Sequence, residues 1–229
     1  MIDFIRSNSI YLAVIIGIII GIPAMRVYEK KESKDSLVKD ILLAVIFSAV
    51  SVFSVLLFAS IEGVLCGNGF YVEAVSTYGL YLIAPLLILP FRKSRRVVFD
   101  KFAIYILPSM FLQRIRCFIT RCCYGKLIGN TDLRWPTREA ELVFYVVMLV
   151  LFLMKVKNTE FKQGSLFPIL MICYGTFRFV VEFARENGSG LFHLAHLWSL
   201  LTLIIGISIY IEVVRPNKSH KNNNRGKND

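Results

Sequence analysis

Apolar residues run in long blocks along this chain, and short basic segments separate them. One bilayer crossing takes about 20 apolar residues, so blocks of this length predict membrane-spanning helices. Seven are predicted, at 10–25, 41–61, 72–91, 97–112, 141–154, 165–183 and 194–213. The fourth is short and begins beside Asp100 and Lys101. The fifth can start as early as Thr137, a suitable N-cap, with Glu139 and Glu141 in its first turn. Only Asp3 and Arg6 precede the first block, and Arg26 and Lys30 follow it. That pattern reads as an uncleaved span, because a signal peptide has a basic start and a small-residue cleavage site. The expected fold is therefore an all-α integral membrane protein of about seven transmembrane helices. Residues 1–215 form one polytopic membrane domain, and the Asn- and Lys-rich stretch 216–229 forms a disordered basic tail.

Composition agrees. Of 229 residues, 55% are hydrophobic and only 19% charged, and the mean hydropathy is +0.59. So much apolar surface does not fit inside one soluble core of this size. The net charge of +11, from 27 Lys and Arg against 16 Asp and Glu, would suit a nucleic-acid binder if it were clustered without spans. Its placement argues otherwise, and no phosphate-binding glycine loop or nucleic-acid motif is present. Lys and Arg collect in the first, third and fifth connections and in the tail, at positions 26, 30, 31, 34, 39, 92, 93, 95, 96, 101, 155, 157, 162, 215, 218, 221, 225 and 227. The second connection has none. By the positive-inside rule the four basic segments are cytoplasmic, which puts the N-terminus outside and the C-terminus in the cytoplasm.

Eight basic residues break that rule. Arg114, Arg116, Arg121, Lys126, Arg134 and Arg138 lie between the fourth and fifth spans, and Arg178 and Arg185 lie in or at the end of the sixth. Tyr174, Arg178 and Glu182 are four apart and share one helical face, with Arg185 close to it. At 1.5 Å per residue, Arg178 sits about 10 Å below the outer end of its helix. A charge at that depth costs about 2.5–3.5 kcal/mol or more, so it faces the bundle interior or a wet cavity. Two readings fit. One is a structural Arg178–Glu182 pair that locks helices together. The other is an anion pocket open to the outer leaflet, because guanidinium groups bind phosphate through paired hydrogen bonds.

Other features carry less chemistry. Glu139 suits helix initiation, and Gly125 after Tyr124 marks a turn. His193 and His196 share a face at the start of the last span and suit interfacial packing. Cys66, Cys117, Cys122 and Cys123 fall on the outer side, where both a disulfide from Cys66 and free thiols remain open. No cofactor is implied, and the cysteine spacing does not suggest a metal site.

Residues 174–185, Tyr-Gly-Thr-Phe-Arg-Phe-Val-Val-Glu-Phe-Ala-Arg, resemble the C-terminal signature of prolipoprotein diacylglyceryl transferases. Arg114-Ile-Arg-Cys-Phe, running on to Tyr124-Gly125, resembles their central signature, and Trp135-Pro-Thr-Arg-Glu-Ala-Glu141 the segment after it. Tyr11 falls where the family has an essential tyrosine. The resemblance implies transfer of diacylglyceryl from phosphatidylglycerol to the lipobox cysteine of prolipoprotein signal peptides, at the outer face of a bacterial cytoplasmic membrane. It implies Arg114, Arg178, Glu182, Tyr174 and Tyr78 as catalytic. It implies Tyr11, Arg116, Arg121, Glu141 and Arg185 as substrate-binding, with Glu182 orienting Arg178. The chain departs from the family at Tyr78, which stands in place of a histidine, at Arg116 and Cys117, in place of a glycine and an asparagine, and at Ala140, in place of a tyrosine. The loss of that histidine leaves open a different acceptor, or a lipid- or partner-binding protein without catalysis.

Overall fold

The computed structural model describes residues 2–29, 37–67, 76–88, 95–119, 124–157, 162–186 and 193–215. Among them are eight helices: α1 (Ile2–Glu29), α2 (Leu37–Leu65), α3 (Gly79–Leu82), α4 (Ala84–Ile88), α5 (Arg95–Ile119), α6 (Thr137–Lys157), α7 (Leu166–Ala184) and α8 (Leu194–Val214). Four of them, α2, α5, α7 and α8, are long and apolar enough to cross a bilayer. The chain is a multi-pass membrane protein. The tail 216–229 lies outside the described residues.

The third predicted block does not form one helix. Its described part divides into α3 and α4 at Ile83. Pro85 causes the division, because it has no N–H to continue the helical ladder, and Leu86 and Leu87 both bond back to the Ile83 carbonyl instead. Irregular backbone at membrane depth is tolerated only inside protein. Here Tyr78, Leu80, Tyr81, Ala84 and Ile88 are all buried, and the Ser76 N–H bonds the Val55 carbonyl of α2 at 3.2 Å. Gly79 allows that approach, since a Cβ there would lie 2.1 Å from the Ser54 carbonyl oxygen.

The fourth block extends further than predicted at both ends. Arg114 and Arg116 are in the last turns of α5, not in a connection. Asp100 and Lys101 are not the edge of a solvated loop either, because both are buried. Asp100 accepts the N–H groups of Gly164 (2.6 Å) and Leu166 (2.8 Å) and the Tyr28 hydroxyl (3.1 Å). It thereby serves the free amides at the start of α7. Lys101 pairs with Asp40 of α2 at 3.5 Å, and Arg26 reaches the same carboxylate at 3.6 Å. Lys162 donates to the Val214 carbonyl at the end of α8. Residues from the first, third and fifth connections and the end of α8 thus gather at one end of the bundle. Aromatic packing fills the middle, with Phe47 meeting Phe102 edge-on at 5.1 Å and Tyr105 at 5.6 Å.

Candidate active site

The opposite end holds an ion-pair chain built from three helices. Glu141, in the first turns of α6, is its centre. Its Oε2 lies 2.5 Å from Arg114 Nε on α5, and its Oε1 accepts Arg178 Nη1 on α7 at 2.8 Å. Arg178 Nη2 in turn lies 2.9 Å from Glu182 Oε2, one turn along α7. Arg185 Nη1 lies 3.7 Å from the same oxygen. Arg114, Glu141, Arg178 and Glu182 are all buried. Three guanidiniums face two carboxylates, so the chain of ion pairs carries one surplus positive charge. Burying ions costs several kcal/mol each, and only such tight pairing offsets it. The Arg178 Nε–H is buried and makes no hydrogen bond among the described residues, which leaves a donor in the middle of the cluster.

Tyrosines floor this cluster. The Tyr78 ring lies 5.8 Å beneath the Arg178 guanidinium. Its hydroxyl bonds the Ala195 carbonyl at 2.9 Å and shares a 2.7 Å hydrogen bond with Ser199 of α8. The Tyr174 hydroxyl shares a 2.6 Å bond with Thr77, and its ring stacks on Tyr81 at 4.2 Å. Above the cluster, residues 124–126 pair with the end of α7. Gly125 bridges Arg185, and Lys126 donates to the Ala184 carbonyl. Gly125 is therefore not a plain turn residue. A Cβ there would fall 2.1 Å from the Trp135 carbonyl oxygen, so close backbone approach requires glycine. Arg134 pairs with the exposed Glu186, and Arg138 lies 4.4 Å over the Tyr124 ring.

Seven of the sequence-predicted residues thus come together: Arg114, Glu141, Arg178, Glu182, Arg185, Tyr174 and Tyr78. Tyr11 does not join them. It is 68% exposed on α1, with no described contact to the cluster. Arg116 has its backbone in α5, but its side chain lies outside the described residues, as does all of Arg121. Cys66 is exposed and Cys117 buried, and neither forms a disulfide among the described residues. Cys122 and Cys123 lie outside the described residues. His196 is buried between Phe179 and Phe183, and its Nδ1 accepts the His193 N–H at 3.1 Å, the packing role expected of it. Sequence reasoning missed Glu62. It sits on α2, hydrogen-bonded by Ser76 and beside the Trp198 indole, within coulombic reach of Arg178 and Glu182. Its signal was present, as the sole acid near the outer end of an otherwise apolar block.

Comparison with known proteins bears on this geometry. The family model for prolipoprotein diacylglyceryl transferase matches residues 7–212. A phosphatidylglycerol–prolipoprotein diacylglyceryl transferase of Clostridium tetani is 28% identical over 165 residues, 63% of this chain and 64% of the relative. One from Ehrlichia ruminantium is 36% identical over 125 residues, 44% of this chain and 47% of the relative. One from Campylobacter hominis is 29% identical over 165 residues, 64% of this chain and 58% of the relative. The matched part of the chain thus spans about half to two thirds of the length of these relatives.

Proposed function

We propose that this chain, which belongs to the prolipoprotein diacylglyceryl transferase family, transfers a diacylglyceryl group from phosphatidylglycerol to the lipobox cysteine thiol of prolipoproteins. The observation that carries the reading is the Arg114–Glu141–Arg178–Glu182–Arg185 chain, buried up to its partly exposed last member, with its surplus cation and its unused Arg178 Nε–H. In the reaction the thiol sulfur bonds the glyceryl carbon, the carbon–oxygen bond breaks, and glycerol phosphate leaves with its negative charge. The site must therefore hold a phosphodiester and stabilise a departing phosphate. Arginines do both when water is excluded, because charge–dipole and charge–charge terms grow at low dielectric. Glu141 holds two of the guanidiniums in one orientation before substrate arrives, and Glu182 fixes the far edge of Arg178. Tyr78 and Tyr174, tied by hydroxyl bonds to α8 and to Thr77, form the floor.

The rest of the bundle suits a lipid donor. A cavity of about 300 Å³ begins at Tyr81, which stacks on Tyr174, runs past Phe167, Met171 and Ile205, and also meets Arg96 and Glu212. It gives room for an acyl chain. In this reading the chain has seven spans, the N-terminus is outside, and the arginine cluster faces the outer side of a bacterial cytoplasmic membrane. The gathering of the basic connections at the other end supports that orientation.

Complementation tests the activity. Cells depleted of their own transferase and expressing this chain are expected to regain lipidated prolipoprotein, seen as a thioether-linked diacylglyceryl on the lipobox cysteine. Absence of that product in cells, and with purified protein and phosphatidylglycerol, would reject the reading.

A further inference from the structure

We infer that Glu62 is the group that accepts the proton of the incoming thiol. The inference rests on the transfer activity proposed above. A thiol attacks as its thiolate, so a base must stand within reach of the phosphate site. The carboxylates of the ion-pair chain are committed. Glu141 is held between Arg114 and Arg178, and Glu182 between Arg178 and Arg185. A carboxylate bound by two guanidiniums is occupied as their counter-ion and is a poor proton acceptor. The Tyr78 hydroxyl donates to the Ala195 carbonyl and meets Ser199. His196 is packed between two phenylalanines, and Glu186 is on the surface with Arg134.

Glu62 differs from all of these. It is only partly buried, and no cation pairs with it among the described residues. It lies one helical turn beyond Phe58, on the α2 face that meets Tyr78 at 6.3 Å and Trp198 at 5.1 Å between ring centres. That face looks onto the same tyrosine ring that underlies Arg178. Ser76 and Trp198 border its carboxylate, and the charges it feels from α7 are Arg178 and Glu182. It is thus a carboxylate beside the anion site but outside the ion-pair chain, open enough to meet an acceptor.

The step balances. The S–H bond breaks and its proton goes to a Glu62 carboxylate oxygen. The sulfur electron pair forms the bond to the glyceryl carbon, and the carbon–oxygen pair departs with glycerol phosphate. Glu62 then returns the proton to a phosphate oxygen of that product, which restores the carboxylate.

The test uses the full chain in phosphatidylglycerol vesicles with two acceptor peptides, one carrying the lipobox cysteine and one carrying selenocysteine there. A selenol is ionised at neutral pH without help from a base. Glu62→Gln is expected to lower kcat about 100-fold with the cysteine peptide, to leave KM for the lipid within a few-fold, and to recover most of its rate with the selenocysteine peptide. Glu62→Asp should keep part of the cysteine rate. Equal rates for Glu62→Gln and wild type would overturn the proposal. So would an equal loss with both peptides, which would mark a structural role. If wild type itself fails with both peptides, the transfer reading falls and this one with it. With an active wild type, the contrast between the two peptides reports on Glu62 alone.

Discussion

Removing the charge of Glu141 should be the most costly single change in the protein. Glu141→Gln leaves Arg114 and Arg178 buried, each without the carboxylate that now lies 2.5 and 2.8 Å away. Breaking one side of a buried ion pair costs about 3–5 kcal/mol, because the stranded charge cannot return to water. Arg114 loses its carboxylate, while Arg178 keeps Glu182 at 2.9 Å, so that range applies as it stands. For a chain of about this length, 1 kcal/mol shifts Tm by about 2–4 °C, which gives a fall of about 6–20 °C. The assay is thermal unfolding of purified protein in neutral detergent, followed by tryptophan fluorescence, since Trp198 lies near the site. Glu186→Gln is the control. Its pair with Arg134 is exposed, screened by salt, and worth under about 1 kcal/mol. Phosphatidylglycerol should raise the Tm of Glu141→Gln more than that of wild type, because an anion replaces the missing charge, and phosphatidylcholine should not. A Glu141→Gln protein within about 2 °C of wild type would refute the idea that Glu141 neutralises the two arginines. Equal stabilisation by both lipids would refute the anion site.

Three further changes probe the frame. Gly79→Ala places a methyl group 2.1 Å from a backbone oxygen that cannot swing aside. It should cost about 1–3 kcal/mol and displace the adjacent Tyr78, read as a lower Tm together with reduced transfer. Asp100→Asn removes an acceptor oxygen from the start of α7, where three donors now converge. A loss of about 1–3 kcal/mol is expected in the same unfolding assay, and no loss would mean that α7 is not anchored there. Gly175→Val forces α7 off α8, since even a Cβ would meet Leu203 N and the Ser199 carbonyl oxygen at 2.8 Å. Tyr78 would lose Ser199, so activity should fall further than stability, and unchanged turnover would show that the α7–α8 contact does not set the site.

The sequence made the long helices legible because their apolar runs exceed what a soluble core needs. It also made the Tyr174–Arg178–Glu182 face legible, because helical spacing is local. Three things were not legible. The division of the 72–91 block depends on Pro85, but equally on α2 offering Ser54 and Val55 to a bare glycine, which is a tertiary fact. The link from Glu141 to both Arg114 and Arg178 joins positions far apart in sequence, so no spacing rule announces it. Lys101, counted from sequence among the charges of the third connection, is buried and pairs with Asp40 from another helix. Glu62 escaped notice for the same reason, since its chemistry lies in what surrounds it.

The two polar ends of the bundle show why the surplus matters. At one end the buried ionic groups are matched within the protein. Asp40 takes Lys101 and Arg26, and Asp100 is satisfied by two amides and a hydroxyl at a helix N-terminus. That set has two cations, of which Arg26 is half-exposed, to two anions, and it holds the ends of α1, α2, α5 and α7 in register. At the other end the ion-pair chain has three cations to two anions, and the buried Arg178 Nε–H has no hydrogen-bond acceptor among the described residues. Charge buried at membrane depth is too costly to keep without return. A structural lock between α5, α6 and α7 would need only Glu141 and its two arginines with a second acid to balance them. Adding Arg185 to Glu182 overshoots that balance by one unit. The surplus lies within the ion-pair chain itself, apart from Glu62, and supports the proposed binding of a phosphodiester there.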